Sequence, residues 1–285
     1  FLRGIYFAVF HSVSSFCNAG FDLFGNSLMD FVGDPIVNVT VMLLIIAGGL
    51  GFTTWADIRL NRGNFYAYTL QSKIALTMTA ALILIPGLFF FFFELDPSTS
   101  LSEHFLISFF QSVTTRTAGY NTIDIKDFSE TGRAALIALM LIGGSPGSTA
   151  GGIKTTTAFT LFAIMIATFR VKKDPTCFSR RLSSETQRHA VTILMMYLLL
   201  FASGSVLLNL IDGIRLIDSA FETASALGTV GLSIGVTDDL GPLSKYVMML
   251  LMFFGRIGGL TVIFAAHAHS RQDSGRSPEE RITIG

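Results

Sequence analysis

Cys17-Asn18-Ala19-Gly20-Phe21, Arg116-Thr117-Ala118-Gly119-Tyr120 and Gly228-Thr229-Val230-Gly231-Leu232 follow one plan: polar and small residues, then glycine, then an aromatic or apolar residue. Aligned without gaps on Gly20, Gly119 and Gly231, they also bring Phe10, Phe109 and Phe221 into register. Each of these opens a short segment rich in Ser, Thr and Ala. A single small-x-Gly stretch reads as an ordinary turn. The same turn three times, after the same kind of segment, predicts a repeated structural unit.

The residues around these turns suit a bilayer. Half of the 285 residues are apolar, Phe alone accounts for 27, and 14% are charged, against about 25% in soluble domains. Long apolar runs at 36–56, 68–93 and 190–211 clear the roughly 18 to 20 residues needed to cross hydrocarbon. Two further runs are interrupted, 134–169 by Gly143 to Gly152 and 246–268 by Gly255-Arg256-Ile257-Gly258-Gly259. Segments 5–16, 104–115 and 216–227, just before the glycine turns, are too short to cross and read as re-entrant helices. The expected fold is therefore all-α and membrane-embedded, with repeats of outer helix, dipping helix, glycine turn and inner helix.

Charge orients the repeats. Arg59 and Arg62, then Arg170, Lys172, Lys173, Arg180, Arg181 and Arg188, then Arg271, Arg276 and Arg281 fall on alternate connections, and basic loops stay cytoplasmic. The opposite loops carry Asp22, Asp30, Asp34, Glu94, Asp96, Glu103, Asp124, Asp127, Glu130, Asp212, Asp218, Asp238 and Asp239, and an acidic outer face attracts cations. Two spans and one dip per interval return the chain to its starting side. The repeats are thus parallel, about an axis along the membrane normal. The 20 basic and 20 acidic residues cancel, so charge suggests no nucleic-acid partner. Cys17 and Cys177 form no CxxC pair, and the five histidines are dispersed without metal-ligand spacing.

A potassium ion entering hydrocarbon must exchange its water for other oxygens, and rows of backbone carbonyls supply them. Glycine admits the positive φ that turns such carbonyls toward one axis. At these residues the chain resembles the Trk/Ktr/HKT superfamily of potassium transporters, closest to its Ktr branch. The resemblance implies a fourfold pore fused in one polypeptide. Residues 1–57 would be most of unit two, 58–170 unit three, 171–269 unit four and 270–285 a cytoplasmic tail, with unit one and the outer helix of unit two outside the sequence. It implies ion-binding filters at Asn18, Ala19 and Gly20, at Thr117, Ala118 and Gly119, and at Thr229, Val230 and Gly231. Potassium is the expected cargo, with sodium a candidate activator or co-ion and no bound cofactor.

Gly143-Gly144-Ser145-Pro146-Gly147-Ser148-Thr149-Ala150-Gly151-Gly152, followed by Ile153-Lys154-Thr155, invites comparison with a phosphate loop of form GxxxxGK[ST]. Ile153 separates the glycine from the lysine, and the preceding residues belong to an apolar span, so nucleotide binding is not expected. Irregular backbone at membrane depth survives only beside protein or a water-filled cavity. The resemblance implies that this loop gates the pore below the filter, and that Arg256 beneath the filter limits ion occupancy. Lys154 is read either as a clasp on the loop carbonyls or as a residue reaching the cytoplasmic interface. For Glu222, complementing a helix N-terminus stands beside a role with the ion or with Arg116. Gly48-Gly49-Leu50-Gly51 and Gly258-Gly259 read as sites of close helix approach.

The family resemblance further implies a homodimer, a cytosolic ring of nucleotide-binding regulatory subunits, and a tail at 279–285 that joins the dimer contact. A secondary transporter using the broken helix as a solute site is the alternative, and inverted repeats would favour it. Enzymatic function is not expected, because the dips hold no paired carboxylates, no HExxH and no Ser/His constellation.

Overall fold

The computed structural model describes residues 1–94, 99–172, 174–259 and 261. Its helices are α1 (Leu2–Phe16), α2 (Pro35–Gly49), α3 (Phe52–Asn61), α4 (Leu70–Phe93), α5 (Leu101–Thr114), α6 (Glu130–Met140), α7 (Thr155–Phe169), α8 (Ser184–Asp212), α9 (Leu216–Gly228) and α10 (Pro242–Ile257). A two-strand hairpin pairs Thr176–Cys177 with Arg180–Arg181 between α7 and α8. The expected tail at 270–285, its dimer contact and most of the distal half of the 246–268 run lie outside the described residues.

Helix starts follow local chemistry. Asp34 accepts from the N–H groups of Ile36 and Val37, with Pro35 opening α2. Thr69 caps α4 at Ser72, and Ser183 caps α8 at Thr186. Ser100 caps α5, its Oγ accepting from the Glu103 N–H and lying 3.1 Å from the Glu103 carboxylate. α4 has 24 residues and α8 has 29, about 36 and 43 Å at 1.5 Å per residue, enough to cross a bilayer. Leu84, Ile85, Leu88, Phe92 and Phe93 on α4 and Leu198, Leu199 and Leu210 on α8 face outward without polar cover, as a lipid-facing surface requires. The chain is an integral membrane protein.

α5, at 14 residues, and α9, at 13, are too short to cross and pack against the outer helices α4 and α8. α1 packs against α2, the helix that follows its glycine turn. The buried apolar residues form three clusters, around Tyr120 and Phe110, around Leu136 and Phe221, and around Tyr197 and Leu227.

The run at 36–56, expected as one uninterrupted span, is instead bent by 94° between α2 and α3. The apolar residues continue through the bend, but Gly51 takes φ +85°, which ends the α-helical path. α10 likewise stops at Gly258, φ +81°. The 134–169 run is broken as expected, by far more chain. Between α6 and α7 the two ends of the loop bond to each other: the Gly143 N–H donates to the Ile153 carbonyl (2.9 Å), Ile153 N–H to Leu141 (3.1 Å) and Thr155 N–H to Gly144 (3.0 Å). That self-pairing lets irregular backbone persist at membrane depth.

Candidate ion pathway

The three dipping helices α1, α5 and α9 run directly into the glycine motifs. In every motif the second and fourth residues are left-handed: Asn18 φ +51° and Gly20 φ +70°, Thr117 +67° and Gly119 +80°, Thr229 +53° and Gly231 +91°. The N–H between them ties back to its own helix, Ala19 to Ser14 (2.9 Å), Ala118 to Thr114 (3.0 Å) and Val230 to Ser225 (2.8 Å). With the donors spent backward, the acceptors are left over. Among the described residues no hydrogen bond ends on the carbonyls of Asn18, Ala19, Gly20, Thr117, Ala118, Gly119, Thr229, Val230 or Gly231. These are the oxygens that a dehydrated cation needs.

The motifs converge. A Cβ on Gly20 would collide with the Ala118 carbonyl, and one on Gly119 with the Val230 carbonyl, so each glycine abuts the next motif in the same rotational sense. Beside Gly231 the contact is open, with Gly119 Cα at 3.7 Å from a built Cβ. A cavity of about 620 Å³ opens there, bordered by Ala19, Val230, Gly231, Glu222 and Arg256.

Side chains brace the motifs in ways that their sequences do not announce. The Tyr120 hydroxyl lies 2.6 Å from Ser14 Oγ and 2.9 Å from the Phe21 carbonyl, bonding one motif to its neighbour. Only the aromatic place in the motif hinted at Tyr120; nothing hinted at its partner. Asn18 Nδ2 donates to the Arg116 carbonyl at 3.1 Å. The Arg116 side chain is 4% exposed, with Nε and Nη2 lacking partners.

Beneath the motifs lies the 143–152 loop. It docks on the break between α2 and α3: Ser145 N–H donates to the Gly49 carbonyl (3.0 Å), Thr149 N–H to Gly48 (3.3 Å), and Phe52 N–H to Gly147 (3.1 Å). Gly143 and Gly151 press against Thr117 and Thr229, where added Cβ atoms would crowd the threonine side chains. Lys154 Nζ donates to the Ala150 carbonyl at 2.6 Å, clasping the loop, and Arg256 Nη1 donates to the Thr149 carbonyl. Gly144, Pro146, Ser148 and Gly152 complete the loop, with Gly147 and Gly152 also left-handed.

Among the described residues Glu222 neither caps a helix N-terminus nor forms an ion pair with Arg116. It lies well inside α9 and accepts from Ser233 Oγ (2.7 Å), Ile234 N–H (3.1 Å) and Thr237 Oγ1 (2.7 Å). Its carboxylate holds the loop after Gly231, and the ion pairs among the described residues do not join it to Arg116. Six residues of α9 precede Glu222, too many for a cap on the helix N-terminus.

Residues 2–276 match the family model described as TrkH, cation transport protein. The chain belongs to the TrkH family of cation transport proteins. It is 41% identical to the potassium/sodium uptake protein NtpJ of Enterococcus hirae over 99% of its length and 36% identical to the Ktr system potassium uptake protein B of Bacillus subtilis over 99%. It spans 65% and 64% of those relatives' own lengths. The crystal structure of the potassium transporter TrkH from Vibrio parahaemolyticus shares the TrkH fold with a TM-score of 0.74 at 21% identity, covering 91% of this chain and 58% of that one. The family so described is one of cation transport proteins.

Proposed function

We propose that this chain provides three of four units of the pore of a potassium-uptake subunit, with potassium held by the carbonyls of the three glycine motifs. The observation that carries the reading is their convergence: unbonded carbonyls, left-handed residues at matching places, and each glycine against the next motif. The open side at Gly231 and Ala19, bordered by the 620 Å³ cavity, is where a fourth unit fits. The relatives, both potassium uptake proteins, support potassium, with sodium as a second ion for the Enterococcus protein.

In this reading the 143–152 loop is the gate, closed as it stands under the filter and clasped by Lys154 and Arg256. The Arg256 charge beside the cavity keeps cation occupancy there low. The acidic loops face outside and the basic loops face the cytoplasm. A homodimer on a cytosolic nucleotide-binding ring would deliver the regulatory signal to the gate. The parallel repeats give the secondary-transporter alternative no support.

The experiment is potassium flux into liposomes carrying the full-length subunit, with sodium in competition. Saturable, potassium-preferring flux that rises on deletion of 143–152 is the expected result. Flux that is absent, or indifferent to potassium and sodium, overturns the reading.

A further inference from the structure

The second residue of each glycine motif is left-handed, and all three side chains meet the 143–152 loop. Thr117 meets Gly143 and Thr229 meets Gly151 through packing alone, their hydroxyls buried and unpartnered. Asn18 is different. Its Oδ1 accepts from Thr149 Oγ1 at 2.9 Å while its Nδ2 donates to the Arg116 carbonyl at 3.1 Å. One buried amide therefore bonds the loop on one side and the neighbouring filter on the other. Thr149 is pinned from the opposite direction as well, because its carbonyl accepts from Arg256 and its N–H donates to Gly48.

The surroundings are shaped around this junction. A Cβ on Gly48 would collide with the Phe16 carbonyl and come within 2.7 Å of Asn18 Oδ1 and 2.9 Å of Thr149 Oγ1. Glycine leaves the space in which these three oxygens gather, and the Thr149 hydroxyl also lies 3.3 Å from the Phe16 carbonyl. Asparagine suits the place on two counts. It tolerates φ > 0 better than other non-glycine residues, and its amide offers a donor and an acceptor at once. A threonine, as in the other two motifs, has one hydroxyl proton and a shorter reach.

We propose that Asn18 is a positioning residue that latches the loop to the filter, so that filter geometry and loop release form one coupled equilibrium. The inference rests on the gate reading above. A shift of the filter that turns the Asn18 amide breaks the bond to Thr149 and frees the loop. By linkage, release of the loop leaves Asn18 and the Arg116 carbonyl less constrained. The latch thus predicts a change in ion selectivity from a residue in the gate, which a loop acting only as a plug does not.

The test is potassium flux and potassium/sodium discrimination of the full-length subunit in liposomes, for Thr149→Val, Thr149→Ser, Asn18→Gly and deletion of 143–152. Asn18→Gly suits the positive φ, and Thr149→Val removes only the hydroxyl at nearly constant volume. Loss of one buried hydrogen bond predicts about two- to tenfold more basal flux in Thr149→Val, together with reduced discrimination. Thr149→Ser should restore both. Asn18→Gly should raise flux in the intact subunit. If deletion raises flux while Thr149→Val and Asn18→Gly stay at the parent level, the latch is wrong and the gate stands. If deletion itself leaves flux unchanged, the gate reading fails and the latch falls with it. Should Asn18→Gly not fold, the Thr149 pair decides alone.

Discussion

Gly51 and Gly258 carry the same backbone, φ +85°, ψ +145° and φ +81°, ψ +145°, at the breaks of two inner helices. The match extends upstream, since Cβ atoms on Gly48 and Gly255 would collide with the equivalent carbonyls of Phe16 and Leu227 at the ends of α1 and α9. In this register Gly49 stands where the other unit has Arg256. Two helices of one design thus present a bare backbone and a guanidinium at corresponding places, and the loop docks on the first while bonding the second.

Replacing Gly51 by alanine tests the break. The new Cβ meets the Pro146 carbonyl at 2.6 Å, and φ +85° is strained for any L side chain. A cost of about 1–2 kcal/mol follows, lowering the melting temperature by a few degrees, about 2–4 °C per kcal/mol in a chain of this size. Thermal unfolding of the purified subunit checks the stability. Higher basal flux than the parent is expected, because the loop docks there.

Gly119 and Gly231 should not respond alike. Gly119→Ser places a side chain against the Val230 carbonyl, whereas at Gly231 a built Cβ meets only Gly119 Cα, at 3.7 Å. Both positions lose the freedom of positive φ. Gly119→Ser is expected to lose most potassium flux, and Gly231→Ser to keep flux with weaker discrimination against sodium. Rubidium uptake under sodium competition separates the two outcomes, and equal behaviour would count against the packing described.

Lys154→Met and Arg256→Gln each remove a charged donor from the loop. The Lys154 bond to Ala150 is short and charge-assisted, a class worth roughly 1.5–3 kcal/mol. Basal potassium flux should rise about tenfold or more in Lys154→Met. Arg256→Gln combines a weaker clasp with a less positive cavity, so its potassium affinity should also increase, read as a lower half-saturating concentration.

Glu222 grips three donors beyond Gly231, so truncation should be worse than neutralisation. Glu222→Gln keeps an acceptor for Ile234 N–H, while Glu222→Ala leaves that buried N–H without one. Melting temperature and uptake should both fall in the order parent, Gln, Ala. If Gln is as damaging as Ala, the carboxylate's charge matters more than its bonds.

The repeat was legible because glycine, small residues and a terminal aromatic recur at one place in each unit, and a backbone that needs positive φ restricts what can stand there. The long spans were legible for an equally local reason, since apolar length decides what crosses a bilayer. The bend at Gly51 was hidden inside a continuous apolar run. Composition there reports burial in lipid, whereas straightness depends on which backbone docks alongside. The bonds of Glu222 were hidden in the same way, because its partners at 233–237 come from a loop whose return path no local pattern encodes.

Sequence alone thus established an all-α membrane protein with a glycine turn that recurs three times and an apolar run interrupted at 143–152, all properties of neighbouring residues. Folding supplied the rest. Asn18 and Thr149 lie 131 positions apart, and Arg256 and Thr149 lie 107 apart. A hydrogen bond depends on a few tenths of an ångström and a direction, and over such separations only the packed chain sets either.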